Sequence, residues 1–182
     1  MTESGRAWAR WRVPAGYPVA LICLWFAKPT LQSVAAAAAI ALAGLVVRGA
    51  AAGHLRKSQA LASTGPYART RNPLYLGSSL LALAFAVASR SWVVFVVLGA
   101  YFLTFYPAVM RREESELRAQ YGPAFEEYAR SVPLFWPKLW KSDAGAGADF
   151  SFAQYRRNRE YEAAIGVAVL LAMLAARAIW RK

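Results

Sequence analysis

Five long uncharged runs dominate the pattern of hydrophobic and polar positions along this chain of 182 residues. The runs are mostly apolar, they are 14 to 20 residues long, and charged residues flank each of them. A bilayer core of roughly 30 Å needs about 20 such residues in a helix, and Arg side chains near a helix end can reach the interface. The pattern predicts five membrane spans, at residues 13–27, 31–49, 73–89, 91–110 and 162–180.

Composition and charge agree with a membrane protein. A chain that is 58% hydrophobic and 18% charged is not intrinsically disordered. The net charge of +12 would suggest nucleic acid for a soluble protein, but 17 of the 22 Lys and Arg fall on one side of a five-span topology. We therefore expect no nucleic-acid partner, a cytoplasmic N-terminus, and an integral protein of a prokaryotic inner membrane.

This topology places residues 50–72 and 111–161 in the cytoplasm. Spans three and four are joined only by Ser89, Arg90 and Ser91, so they form a tight hairpin that returns Asn72 and Met110 to one level. The alanine-rich second span favours close helix packing. The fold prediction is an all-α, polytopic transmembrane helical bundle in which the segment between spans four and five forms a cytosolic pocket.

Two polar segments meet at the mouth of this hairpin. Before span three, turn-forming Gly-Pro and Asn-Pro pairs predict an ordered, extended loop that presents Arg71 and is capped onto the helix by Asn72. After span four, the helix continues into water and presents Glu113 and Glu114. Further along, apolar residues at helical spacing predict a short amphipathic helix between Pro123 and Pro133.

The two segments carry a recognisable pattern. The first reads Thr64-x-x-Tyr67-x-x-x-Arg71-Asn72-Pro73-x-Tyr75-x-Gly77. The second reads Glu113-Glu114-x-x-Leu117-x-x-x-Tyr121-Gly122-x-x-Phe125-x-x-Tyr128-x-x-x-Val132-Pro133. In this order and spacing, over roughly residues 59–137, the chain resembles the isoprenylcysteine carboxyl methyltransferases and their phospholipid methyltransferase relatives.

The resemblance implies an integral membrane enzyme that binds S-adenosylmethionine under its cytosolic C-terminal segment. It also implies a lipidic or small membrane-partitioned acceptor that enters from the bilayer. Methyl transfer from a sulfonium is an in-line displacement that depends on alignment, and it needs no metal.

Carried over by position, the resemblance implies a set of site residues. The carboxylates suit the amine or the ribose hydroxyls of the cofactor, and the tyrosines suit stacking or cation–π contacts. The candidate cofactor-binding residues are Gln59, Leu61, Ala62, Tyr67, Asn72, Pro73, Leu74, Tyr75, Glu113 and Glu114. The candidate catalytic residues are Arg71 and Arg112.

Two positions depart from the prenylcysteine enzymes. Asn72 stands where those enzymes have His, and Val109 stands where they have an arginine that is thought to face the acceptor carboxylate. Arg112 is nearer the Glu pair. The acceptor is therefore open between carboxylate, amine and thiol.

One chemical argument bears on the acceptor. A carboxylate needs no base because it is ionised at neutral pH, and no obvious base is present, which favours a carboxylate acceptor over an amine. Two other functions stay open: a noncatalytic membrane scaffold or lipid-binding bundle, and a membrane reductase of the sterol type that uses a nicotinamide cofactor.

Overall fold

The computed structural model describes residues 3–56, 60–138 and 149–180, without the side chains of residues 3–10 and 12. Within these ranges the chain is helical and contains no strand, which confirms the predicted fold class. The elements are α1 (Glu3–Phe26), α2 (Leu31–His54), a 3-10 turn (Gly65–Ala68), α3 (Pro73–Ser89), α4 (Trp92–Tyr121), α5 (Pro123–Ser131), α6 (Phe152–Arg157) and α7 (Tyr161–Trp180).

Three of the described helices, α2, α4 and α7, are long and apolar enough to cross a membrane, and the shorter segments Val13–Phe26 and Pro73–Ser89 are apolar as well. Large apolar side chains point outward from these helices: Trp25 is 80% exposed and Leu103 is 79% exposed. Such surfaces are stable in lipid, where a helix also satisfies its own backbone groups. The protein is an integral membrane protein, and the five-span topology stays a prediction.

α1 begins before its predicted span and α2 ends after its predicted span, whereas α4 continues past its span as predicted. α4 continues to Tyr121 because residues 111–120 are good helix formers, and it stops where Gly122 adopts a φ of 51° ahead of Pro123. α2 continues to His54, so Arg48 lies inside the helix and not at the start of a loop. The Asn158 amide donates to the carbonyls of Ala52 (2.9 Å) and Leu55 (3.0 Å) and so caps the end of α2.

The chain divides into two compact units. The first comprises Met1–Leu42, Ser79–Glu113 and Val167–Lys182, and the second comprises Ala43–Ser78 and Glu114–Gly166. Small residues form the core of the first unit, as expected from the alanine-rich second span. The buried cluster consists of Ala27, Ala37, Ala41, Ala84, Ala88 and Leu174.

The second unit has a core of larger side chains. Phe125, Tyr128 and Val132 are buried on one face of α5 and its end, and Leu61 and Leu117 pack against them. α5 is the amphipathic helix that the sequence predicts between Pro123 and Pro133. The predicted extended loop before α3 instead contains the 3-10 turn, whose first residue Gly65 has a φ of 57°.

The second unit also contains a close approach of α2 to α3 at Gly77. A Cβ placed on Gly77 would lie 2.4 Å from Arg48 Cγ and 2.8 Å from the Gly44 carbonyl oxygen. The Gly44 carbonyl belongs to the α2 backbone and Arg48 Cγ lies near the start of its side chain. Neither atom can move far enough away unless α2 or α3 shifts. The glycine of the Arg-Asn-Pro-x-Tyr-x-Gly motif is therefore required by packing.

We predict that Gly77→Ala destabilises the protein by about 1–3 kcal/mol, the usual penalty for overpacking. Thermal unfolding of the detergent-purified protein measures the effect. Gly99→Ala is the matched control, because a Cβ on Gly99 meets nothing within 4 Å and alanine favours a helix. A Gly77→Ala protein as stable as the Gly99→Ala protein would contradict the packing role.

Candidate functional site

Hydrogen bonds join two segments of the second unit that are far apart in sequence. We call residues 64–72 the motif loop and residues 128–138 the strap. The Tyr128 hydroxyl donates to the Tyr67 carbonyl (2.8 Å), and the Arg71 N–H donates to the Pro133 carbonyl (2.9 Å). Because these bonds involve backbone groups of both segments, the strap determines the path of the loop.

Side chains of the motif loop add further bonds to the strap. The Asn72 amide donates to the Leu134 carbonyl (2.9 Å), and the Thr70 hydroxyl donates to the Phe135 carbonyl (2.9 Å). Thr70 and Asn72 are both buried. The Asn72 carbonyl also accepts the Leu76 N–H (3.0 Å), as expected of the residue that precedes α3. The loop is thus fixed immediately before the helix begins.

Arg71 of the motif loop forms an ion pair with Glu114 of α4. Both side chains are only 16% exposed. The pair confirms that the loop before Asn72 and the turn after Met110 are neighbours, as the hairpin argument predicts. Charges taken this far out of water require close partners, because desolvation of each ion costs several kcal/mol.

Two atoms of this pair are buried without a hydrogen bond among the described residues, Arg71 Nε and Glu114 Oε1. The carboxylate oxygen contacts the guanidinium as a charge but not in hydrogen-bonding geometry. Buried polar atoms are nearly always hydrogen-bonded, so each such atom needs an explanation. One ion pair thus contains a buried donor without a hydrogen bond and a buried acceptor whose contact with the guanidinium is not a hydrogen bond, an arrangement that suits a ligand offering both kinds of group.

The Tyr128 hydroxyl lies within the field of the same pair. Burial raises the pKa of Tyr128 above its ordinary value of 10, while the charge of Arg71 lowers it and the charge of Glu114 raises it. Burial dominates, so the hydroxyl keeps its proton at neutral pH. It therefore remains a donor to the Tyr67 carbonyl.

The other predicted site residues occupy different environments. Tyr67, Asn72 and Pro73 are buried, Glu113 is exposed on α4, and Leu61 belongs to the apolar core around Phe125. Ala62, Leu74, Tyr75 and Arg112 are half-buried, and Gln59 lies outside the described residues. Among the described residues no group of three His, Cys, Asp or Glu could hold a metal ion.

One buried polar cluster was not predicted. Arg48 of α2 forms an ion pair with Glu160, which precedes α7 and is 7% exposed. The two residues are 112 positions apart. The only sequence signal is a charge at the end of each apolar run, and such charges are ordinary membrane anchors.

The second unit also contains an open groove of about 610 Å³ beside α5. None of its lining residues belongs to the predicted cofactor set, and the Arg118–Glu126 ion pair in it is exposed. Exposed pairs of this kind contribute little energy. We therefore place the candidate site at the buried Arg71–Glu114 pair and not in this groove.

The family model that describes phospholipid methyltransferases matches residues 30–124, just over half of the chain. The match includes the motif loop, Arg71 and Glu114. The chain belongs to the phospholipid methyltransferase family. This confirms the family assignment that the two sequence motifs indicated.

Two curated relatives are metal resistance proteins by name. The cobalt-zinc-cadmium resistance protein CzcN of Cupriavidus metallidurans is 40% identical over 84 residues, which are 46% of this chain and 38% of that protein. The nickel-cobalt-cadmium resistance protein NccN of Alcaligenes xylosoxydans xylosoxydans is 37% identical over 84 residues, 46% of this chain and 39% of that protein. The matched part is about two fifths of each relative's length. No solved structure matches the chain.

We predict that Tyr128→Phe lowers the free energy of unfolding by about 1–3 kcal/mol, because it removes the donor to the buried Tyr67 carbonyl. Tyr17→Phe is the control, since Tyr17 is 71% exposed. The raised pKa of Tyr128 stabilises the folded state fully below pH 10, and this contribution is lost as the pH rises above 10. The stability gap between wild type and Tyr128→Phe should therefore be constant near neutrality and narrow above pH 10. Equal unfolding temperatures for the two proteins at pH 7 would contradict the role of this hydrogen bond.

Proposed function

We propose that the protein transfers a methyl group from S-adenosylmethionine to a membrane-embedded small or lipid acceptor, with a carboxylate favoured over an amine. Family membership supports the reaction class. The observation that carries the proposal is the buried Arg71–Glu114 pair with its two unfilled atoms.

These residues fit the cofactor. Its amino-acid end carries a carboxylate and an ammonium group, and its ribose carries hydroxyls. Arg71 Nε is a donor suited to a carboxylate, and Glu114 Oε1 is an acceptor suited to an ammonium or hydroxyl group. When bound, S-adenosylmethionine supplies a methyl group activated by its sulfonium.

The work of the protein is then to bind, align and exclude water. An in-line displacement gains several kcal/mol from a fixed, oriented encounter. The strap holds the motif loop through backbone bonds, and this rigidity supports alignment. By position in the motifs, Gln59, Leu61, Ala62, Tyr67, Asn72 to Tyr75 and Glu113 remain proposed cofactor contacts, and Arg71 and Arg112 remain proposed catalytic residues.

The proposed orientation places the site on the cytoplasmic side of a prokaryotic inner membrane. Lys and Arg are concentrated in the segments that contain the site, and this is typical of the cytoplasmic face. A lipidic acceptor could then reach the site from the bilayer without crossing water.

Calorimetric titration of S-adenosylmethionine and S-adenosylhomocysteine into the detergent-purified protein tests donor binding without an acceptor. We expect Glu114→Gln and Arg71→Ala each to lose about 1.5–3 kcal/mol of binding free energy, the value of a hydrogen bond to a charged group. Glu113→Gln, measured beside them, tests the other carboxylate of the motif.

Glu162→Gln is the matched control for this titration. Glu162 pairs with Arg159, but both side chains are more than half exposed, so the variant should bind the donor like the wild type. No binding at millimolar ligand by folded wild-type protein would overturn the proposal. That result would favour a noncatalytic scaffold or a nicotinamide-dependent reductase as the function.

Transfer of a labelled methyl group to membrane extracts tests the acceptor class. A methyl ester releases volatile methanol when treated with base, whereas an N-methyl group does not. We expect base-labile label that depends on Arg71. Base-stable label in the lipid fraction would support methyl transfer as the reaction but would exclude a carboxylate as the acceptor.

A further inference from the structure

We infer that Arg48 is a positioning residue that ties the C-terminal part of the second unit to the first turn of α3. This inference rests on the proposed function, because residues 72–75 are the proposed cofactor contacts at that turn. Neither sequence motif includes Arg48 or Glu160.

The Arg48 guanidinium makes contacts in two directions. Towards the C-terminal segment, its Nε lies 2.5 Å from Glu160 Oε1 and its Nη2 donates to Glu160 Oε2 at 3.0 Å. Towards α3, its Nη1 donates to the Ser78 hydroxyl at 2.5 Å and to the Leu74 carbonyl at 3.4 Å. One planar group with five fixed donors therefore bridges two elements, which a lysine could not do.

The α3 side of this bridge is the helix start that carries the motif. The Ser78 hydroxyl donates to the Leu74 carbonyl at 2.8 Å, and Leu74 lies between Pro73 and Tyr75. Gly77 leaves space for the aliphatic part of Arg48. The contacts of Arg48 thus reach the backbone of Leu74, one of the proposed cofactor contacts.

The Glu160 side of the bridge is also fixed. The Asn158 amide holds the end of α2 through Ala52 and Leu55, and the Ser151 N–H donates to the Gly53 carbonyl at 3.0 Å. Phe150 packs against His54 at 6.0 Å between ring centroids. The carboxylate is therefore presented to Arg48 from a segment that is itself bonded to α2.

Stability alone is a weak explanation for this cluster. Replacing a buried ion pair with apolar side chains of similar volume is often neutral or stabilising, because the pair must be desolvated. What a bidentate pair does better is to fix distances and angles. A cluster of this kind beneath the motif is therefore suited to orienting the first turn of α3.

Titration of S-adenosylhomocysteine into Ser78→Ala and Glu160→Gln proteins tests the inference. Ser78→Ala removes the shorter of the two contacts between Arg48 and α3 and leaves the ion pair intact. We expect each variant to bind about twofold to thirtyfold more weakly with an unchanged number of sites per protein, the range of effects transmitted without ligand contact. A purely structural role would instead lower the number of competent sites and leave the dissociation constant unchanged.

Ser89→Ala is the matched control, because Ser89 lies on the same helix and its hydroxyl also donates to a backbone carbonyl, that of Ala86 (2.7 Å). Ser89→Ala should bind S-adenosylhomocysteine with the wild-type dissociation constant, even if its unfolding temperature is lower. Wild-type dissociation constants in Ser78→Ala and Glu160→Gln would overturn this inference and leave the proposed function standing. Absence of binding by the folded wild-type protein would overturn both.

Discussion

A loop can be buried only if its backbone polar groups find partners, and this requirement governs the site. The motif loop meets it through the strap. Pro133 accepts the Arg71 N–H, and Tyr128 donates to the Tyr67 carbonyl. Once the backbone at residue 71 is held in this way, its side chain is directed at Glu114 and both charges leave water together. The loop's hydrogen bonds and the ion pair therefore support the same conformation of the motif loop.

The two buried ion pairs of the second unit differ in a way that suggests different roles. The Arg48 guanidinium has partners on all three nitrogens, among them both oxygens of Glu160. In the Arg71–Glu114 pair, one nitrogen and one oxygen lack a hydrogen bond among the described residues. An ion pair whose atoms all have hydrogen-bond partners fixes the relative positions of the elements that carry it. An ion pair with unbonded buried atoms can form further hydrogen bonds to a ligand. This contrast is why we assign positioning to the first pair and binding to the second.

The sequence predicts the long apolar helices and the nearness of the loop before Asn72 to the turn after Met110, because a three-residue turn after a span leaves the chain no other return path. It does not predict which residues of these two segments pair, nor α6. It does not predict Arg48 with Glu160, since nothing in local periodicity pairs residues 112 positions apart. The sequence also does not predict that the strap binds the motif loop. Its contacts run through carbonyls such as those of Pro133 and Leu134, and every residue has a carbonyl. The end of α2 lies beyond the predicted span for a local reason, because residues 50–52 are alanines, which favour helix over loop.

The family model ends at residue 124, before the groups of the strap that hydrogen-bond to the motif loop. The family match spans residues 30–124, which include Arg48, Arg71 and Glu114. Three partner groups lie beyond it: the Pro133 carbonyl that accepts the Arg71 N–H, the Leu134 carbonyl that accepts the Asn72 amide, and the Glu160 carboxylate that pairs with Arg48. The matched region therefore contains Arg48, Arg71 and Glu114. The C-terminal part contains the Glu160 carboxylate that pairs with Arg48 and the backbone carbonyls that hold the motif loop. A change in residues 134–138 or 149–160 would alter contacts that hold the first motif without altering either motif.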